Sequence, residues 1–256
     1  MREPSRRRWL GGGLAAAGAG LLAACDRVAA NPVVQQTLRM AHGLTYRAQR
    51  LIVPREALAP EYTEADISPD FRANGSINPM AADYVALRQG GFADYRLVVD
   101  GLVERPLSLS LADLRARPSR TQITKHDCVE GWTSIGKWKG APLSVLLEEA
   151  GLRPEARFIV FYCFDALDQR EDGDRYYESI DLVDAYHPQT ILAYEMNDHI
   201  LPVPHGAPLR LRVERQIGYK HAKYIRRIEA VDSFAHIGRG EGGYWPDRGY
   251  QWEAGI

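Results

Sequence analysis

Apolar residues first recur at helical spacing between Val34 and Leu51. Val34, Leu38, Ala41, Leu44, Ala48 and Leu51 form one stripe, which predicts an amphipathic helix that packs on the domain or spaces it from a membrane. Pro54 to Pro79 is rich in Pro, Asp, Glu and Asn and reads as extended loop. At Tyr95 the period changes to two: Tyr95, Leu97 and Val99 alternate, and Asp100-Gly101 predicts a hairpin turn. Ser110 with Asp113 predicts a capped helix through Leu114. Pro142 opens another helix, with Leu143, Leu146 and Leu147 facing inward and Gly151 ending it. Phe158 to Phe164 is an unbroken apolar run, a buried strand by length and composition. The acidic stretch Asp165 to Asp174 lacks the calcium-loop spacing and reads as solvated loop. Ile191 to Met196, Asn197-Asp198 and Ile200-Leu201 predict a second hairpin, and Leu209, Leu211 and Val213 alternate with Arg210, Arg212 and Glu214 as a further strand. The Gly-, Trp- and Tyr-rich tail, Gly238 to Ile256, reads as a loop whose Tyr244, Trp245, Tyr250 and Trp252 either pack or line a pocket of their own. With no internal repeat, the pattern predicts one α+β domain of short strands and few helices.

Composition narrows the class without naming an activity. The chain has 256 residues, 45% hydrophobic and 25% charged, which excludes a disordered or collagen-like protein. Its formal net charge of −1 argues against a nucleic-acid surface as the main function. Three Cys cannot build a disulfide-stapled scaffold.

Residues 1–25 read as an address. Ser5-Arg6-Arg7-Arg8-Trp9-Leu10 leads into a stretch of Leu, Ala and Gly, a secretory signal too short for a membrane span. The order resembles the twin-arginine signature, a route that carries proteins already folded. Leu22-Ala23-Ala24-Cys25 looks like a lipobox, in which Cys25 becomes the acylated mature N-terminus. The first 24 residues hold four Arg and one Glu, so their removal takes the formal charge from −1 to −4. Anchoring would then come from the lipid or the signal, because an acidic protein has little attraction for anionic lipid. The expected location is the extracytoplasmic face of the membrane, or the periplasm. The expected organisation is signal and lipobox at 1–25, helix and extended segment at 26–70, and the functional domain at 71–256.

Cys128 stands in His126-Asp127-Cys128-Val129-Glu130-Gly131-Trp132, between a strand ending near Thr124 and the helix at Pro142. Three readings are open: a small buried hydrophobe, a nucleophile activated by His126, or a thiolate ligand to a soft metal. A zinc site would need further thiol or His ligands at short spacing, and only His126 is near. Cys163 lies inside the apolar run and reads as core. A second cluster, His205-Gly206-Ala207-Pro208-Leu209-Arg210 with Gly218-Tyr219-Lys220-His221-Ala222-Lys223, suits a phosphate or, equally, a solvated strand face.

Taken together and in order, HDCVEGW, ILAYEMN, HGAPLRL and GYKHAK resemble the sulfite-oxidase superfamily of molybdopterin enzymes, which includes periplasmic methionine sulfoxide reductase catalytic subunits. The resemblance runs from about Phe71 to about Ile228 and implies a single mixed sulfite-oxidase-type molybdopterin-binding domain. It implies that Cys128 is the protein ligand to molybdenum, whose other sulfur ligands come from the dithiolene of one molybdopterin. It implies cofactor binding by Asn74, Asp165, His205 and Arg210 and by the closing segment His221, Ala222 and Lys223. Tyr176 resembles the family's active-site tyrosine, with Tyr177 an equally close neighbour. In the early loop, Phe71-Arg72-Ala73-Asn74-Gly75, the Arg and Asn are separated and the family's His is missing, so sulfite is not the favoured substrate.

The implied activity is oxygen-atom transfer to or from a small or protein-bound sulfur or nitrogen oxide. Without a CxxCH for haem attachment in the chain, the implied electron partner is a separate haem carrier. The rival readings are an exported cysteine-dependent enzyme and a non-catalytic ligand-binding lipoprotein.

Overall fold

The computed structural model describes residue 28 and residues 31–167 and 174–256. The signal, its lipobox Cys25 and most of the acidic loop after Asp165 lie outside the described residues. The chain divides into two units, Met1–Val53 and Pro54–Ile256. In the first, a helix runs over Pro32–Ile52, with the Asn31 side chain accepting from the Val33 N–H at 2.9 Å and Pro32 in its opening turn. Among the described residues, no helix is long and apolar enough to cross a membrane.

The second unit is an α+β domain built on two sheets. In the first sheet β1 (Leu97–Gly101) lies between β2 (Leu107–Leu109) and β10 (Ile225–Val231), and β5 (Phe158–Ala166) and β6 (Arg175–Asp181) follow β10. The β1–β10 pair is parallel and its neighbours are antiparallel. In the second sheet β3 (Arg120–Asp127) pairs with β4 (Thr133–Pro142), and β4 with β7 (Ile191–Met196). Two short strands, β9 (Arg210–Arg212) and β8 (His199–Ile200), pair with successive parts of the other edge of β7. One buried cluster takes side chains from both sheets, including Leu97, Phe161, Leu192, Leu211 and Ile228, together with Leu143, Leu146 and Leu147 of the Leu143–Ala150 helix. β5 is buried on both faces, since Ile159 and Phe161 join that cluster while Val160 packs with Tyr177, Val231 and Ile237. A strand covered on both sides has no polar face, which explains its unbroken apolar run.

The capped helix forms at Leu111–Ala116, where the Ser110 hydroxyl accepts from the Asp113 N–H. Asn197 and Asp198, both at positive φ, make the β7–β8 turn. Two readings need correction. Asp100-Gly101 is not a tight turn: Gly101 stays in β1 opposite Ala230, and a Cβ there would strike the Ala230 carbonyl. The hairpin to β2 closes farther on. Arg210 and Arg212 do not form a solvated face either, because both are buried, as is Glu214.

Candidate active site

Cys128 is the first residue after β3, in the five-residue loop of the β3–β4 hairpin, whose last pair is Asp127 with Thr133. The loop is tight. The Gly131 N–H donates to the Cys128 carbonyl at 2.9 Å, and the Cys128 N–H donates to the Trp132 carbonyl at 2.9 Å. Gly131 adopts φ 86°, which a side chain would resist. This fixes the thiol against Asn74, whose Nδ2 donates to Sγ at 3.2 Å. Burial pushes the thiol pKa up, while donors from the Glu130 backbone and Asn74 favour the thiolate.

The pocket at Cys128 is lined by Asn74, Gly75, Ser76, Asp165, Tyr176, Arg210, Gly218, Tyr219, His221, Lys223, Trp245 and Tyr250, among others. Six of the other residues singled out by sequence thus meet Cys128: Asn74, Asp165, Tyr176, Arg210, His221 and Lys223. β5 delivers Asp165, β6 Tyr176 and β9 Arg210. The short 3-10 turn Gly218–Lys220 brings His221 and Lys223. That turn approaches closely because a Cβ on Gly218 would lie 2.7 Å from His126 Nε2.

Two sequence candidates stand elsewhere. Ala222 is buried off the pocket wall, donating its N–H to the Lys220 carbonyl at 3.1 Å and accepting from the Leu211 N–H at 2.8 Å. It ties the closing segment to β9. His205 sits beside the pocket, edge-on to Phe71, and its carbonyl accepts from Arg210 Nη1 at 3.1 Å. Burial and the cations Arg210 and Lys223 bring His205 down to about 4, so its ring is neutral near pH 7.

β6 alternation separates the two tyrosines. Tyr176 faces the Cys128 pocket and donates its hydroxyl to the Tyr219 carbonyl. Tyr177 points to the other face and donates to Asp247. Arg72 is exposed at the loop edge, 4.0 Å from Glu130 and over the Trp132 ring.

A buried polar spine holds the pocket from behind. Arg212 donates Nε and Nη2 to Glu214 at 2.9 and 2.6 Å, and Nη1 to His126 Nδ1 at 3.1 Å. Since Arg212 can only donate, His126 Nδ1 must accept and the ring proton is on Nε2. Burial first, then Arg210, His221, Arg212 and Lys223, hold His126 well below its ordinary pKa. Its free lone pair is therefore committed to Arg212, which removes His126 as a base for Cys128. Gln122 braces the same carboxylate at 2.8 Å, and Trp138 lies under both Arg212 and Arg210. The Arg210 guanidinium, buried and beside Arg212, is brought down to about 9.

The wall also carries unsatisfied chemistry. Ser76 Oγ, Asp165 Oδ1, Arg210 Nε and His221 Nδ1 are all buried without a hydrogen-bond partner among the described residues. Each belongs to a residue lining this pocket. Buried polar groups are rarely left unpaired, so four on one wall mark a place for a polar ligand. A soft thiolate, two cations, a carboxyl and an imidazole are a donor set that fits a phosphate-bearing pterin with a soft metal. Among the described residues there is no cluster of three or more His, Cys, Asp or Glu for a metal, so a metal here would need ligands from a cofactor.

Sequence reasoning missed Ser76, a small hydroxyl just past the early loop with no signal of its own. Trp245 and Tyr250, open in the sequence between packing and a pocket, line this one.

Comparison with known proteins bears on this site. The family described as oxidoreductase molybdopterin binding domain matches residues 85–236. The chain is 34% identical over 252 residues, 98% of its length and 88% of the other's, to an Azospira oryzae protein. That protein's name assigns it provisionally as subunit YedZ1 of a protein-methionine-sulfoxide reductase. It is also 33% identical over 144 residues to a Campylobacter jejuni protein named as the protein-methionine-sulfoxide reductase catalytic subunit MsrP, covering 53% of this chain and 48% of that one. A Ralstonia nicotianae protein of the same name is 33% identical over 147 residues, covering 54% and 44%. The chain therefore spans less than half the length of these two relatives.

Proposed function

The chain belongs to the oxidoreductase molybdopterin binding domain family and is a molybdenum-dependent oxidoreductase; from this we propose that it transfers an oxygen atom at sulfur, reducing a small or protein-bound sulfoxide. The names of its relatives favour a sulfoxide over a nitrogen oxide. The observation that carries the reading is the convergence of the Cys128 thiol with four unpartnered buried polar atoms around one pocket.

In this reading Cys128 is the single protein ligand to molybdenum, completing a set supplied by one molybdopterin. When bound, the metal supplies the two-electron redox change and the exchange of the oxygen atom. Arg210 and Lys223 hold the cofactor's phosphate and polar edge, with Asn74, Asp165 and His221 as further contacts, and His205 supports Arg210 from outside. Lys223 Nζ donates to the carbonyls of Asn74, at 2.8 Å, Ser76 and Pro204, at 3.0 Å. The cavity is about 160 Å³, below the roughly 300–1,000 Å³ of most ligand pockets. A cofactor anion here would compete with those carbonyls for the Lys223 ammonium.

Reducing a sulfoxide consumes two protons, and two groups on the wall can hold them. Burial pushes the Asp165 carboxyl up, with Lys223 opposing, and burial and Arg210 push the Lys223 ammonium down, so the two titrate as a pair that can hold a proton. The Tyr176 hydroxyl, raised by burial, stays protonated and can donate to a substrate oxygen. Trp245 and Tyr250 would exclude water from the reacting group.

Reducing equivalents would come from a separate haem carrier. The twin-arginine route fits a cofactor inserted before export, and location at the extracytoplasmic face, with Cys25 acylated, is part of the same proposal. The functional domain is assigned to 71–256.

The test is reduction of methionine sulfoxide, free and in a peptide, by cofactor-loaded protein with a reduced viologen dye. Turnover supports the reading, and no turnover with any sulfoxide contradicts it. Tyr176→Phe should lower kcat about tenfold or more, as removal of a transition-state donor does. Tyr177→Phe should leave kcat unchanged and cost about 1 kcal/mol of stability. Equal kcat losses in both variants would reject the assignment of Tyr176.

A further inference from the structure

Tyr176 also borders a second cavity, on the face of the first sheet that carries Tyr162 and Tyr177. This cavity is about 370 Å³ and is walled by Arg175, Arg226, Arg239, Arg248, Asp174 and Asp247, among others.

Its charges do not cancel. Arg175 is neutralised by Asp83, outside the wall, at 2.7 and 3.1 Å. Asp174 pairs with Arg248 at 3.2 Å. The Asp247 carboxylate accepts from the Tyr177 hydroxyl and from the N–H groups of Arg239 and Glu241 at 2.9 and 3.1 Å. Arg226 is half-buried, and its one hydrogen bond runs from Nε to the Cys163 carbonyl at 3.3 Å. Its two amino ends have no partner among the described residues, and neither does the guanidinium of Arg239, which stands exposed at the cavity rim. Burial first and Arg175 next push Arg226 below its ordinary pKa, and Asp83 only partly offsets them. An uncompensated, partly desolvated cation costs stability, and an anion would relieve it. The oxygen atom transferred in the Cys128 pocket plays no part here, so this feature is not absorbed by the proposed reaction.

We propose that this cavity is a second binding site, for a small oxyanion of the sulfate or phosphate class, held by the guanidinium groups of Arg226 and Arg239. Each guanidinium fork can donate two parallel N–H bonds to a pair of oxygens on such a tetrahedral ion. Arg248 covers Tyr244 at 3.5 Å from its ring centroid, and Tyr244 stacks on Tyr176 with centroids 5.4 Å apart. The site thus shares a wall with the Cys128 pocket without sharing its ligands.

Titration calorimetry of the cofactor-loaded full chain with sodium phosphate, and separately sodium sulfate, at fixed ionic strength against sodium chloride, tests this. Loaded protein is used so that Arg210 and Lys223 are already engaged. Saturable binding near one ion per chain is expected, weakened about tenfold by either Arg226→Gln or Arg239→Gln, in line with loss of one charge-assisted contact. Molybdenum content should be unchanged in both variants, which separates this site from the cofactor site. Absence of saturable binding, or unaltered affinity in both variants, would overturn the proposal.

Discussion

Serine in place of Cys128 is expected to lower turnover by more than about a hundredfold, the loss already typical when only an outer-shell partner of a metal ligand is removed. The change is one atom, sulfur to oxygen, at a residue already held by its own backbone. The Cys128 N–H and carbonyl are bonded to Trp132 and Gly131, so the loop geometry does not depend on the thiol. Asn74 can donate to a hydroxyl as well as to sulfur. Thermal unfolding should therefore stay within about 1 kcal/mol of the wild type, while a hard alkoxide donor is a poor substitute for a soft thiolate. Unaltered turnover in Cys128→Ser would exclude Cys128 as the metal ligand. Steady-state kinetics and a melting curve on the same preparation give both readouts.

The second large effect falls on stability. Glu214→Ala should destabilise the domain by about 3–5 kcal/mol, because it strands a buried guanidinium. Arg212 and Glu214 have fully buried side chains, and two hydrogen bonds join them. Gln122 Nε2 would lose its contact with the carboxylate too, keeping only the Gln189 carbonyl at 3.0 Å. A drop in Tm of about 10 °C is expected for a domain of this size. Removing both charges, as in Arg212→Met with Glu214→Leu, should recover part of the loss, since the penalty arises from the unpaired charge. A single variant that melts within a few degrees of wild type would mean that the pair is not closed off from water.

Those two residues also show where the sequence could be read and where it could not. Local signals worked where neighbours in the chain decide the outcome. The capping box at Ser110, the helix from Pro142 to Gly151, the Asn197-Asp198 turn and the apolar strand at Phe158 all became what their residues favour. Long-range pairing overrode them elsewhere. Alternation at Arg210, Arg212 and Glu214 reads as a wet face, yet Gln122, His126 and Trp138, all far earlier in the chain, bury it. Strand β4 escaped notice because its buried positions are Ser134, Gly136, Trp138, Gly140 and Ala141, with Lys137 and Lys139 on either side of the Trp, so it has little apolar contrast. Gly140 is there for space rather than for a turn, since a Cβ would strike the backbone of Leu192 and Ala193.

The site was legible in a similar way. Its residues could be listed from motifs, and six of them line the Cys128 pocket. Which of Tyr176 and Tyr177 faces that pocket could not be decided from alternation, because both faces of β5 and β6 are covered. The pairing of His126 with Cys128 was equally undecidable from an i, i+2 spacing. The geometry resolves it, since Arg212 takes the imidazole lone pair. The cysteine-dependent alternative loses its base there, and family membership sets aside the non-catalytic lipoprotein. Ala222, implied by the resemblance as part of the closing segment, lies off the pocket wall, with its N–H on Lys220 and its carbonyl on Leu211.

Metal and pterin content tests the central claim most directly. Protein made in a host that synthesises molybdopterin should carry about one molybdenum and one pterin per chain, measured by elemental analysis and by fluorescence of the oxidised pterin. The metal should be lost in Cys128→Ala. Well-folded wild-type protein with neither molybdenum nor pterin, or full molybdenum in Cys128→Ala, would contradict the account.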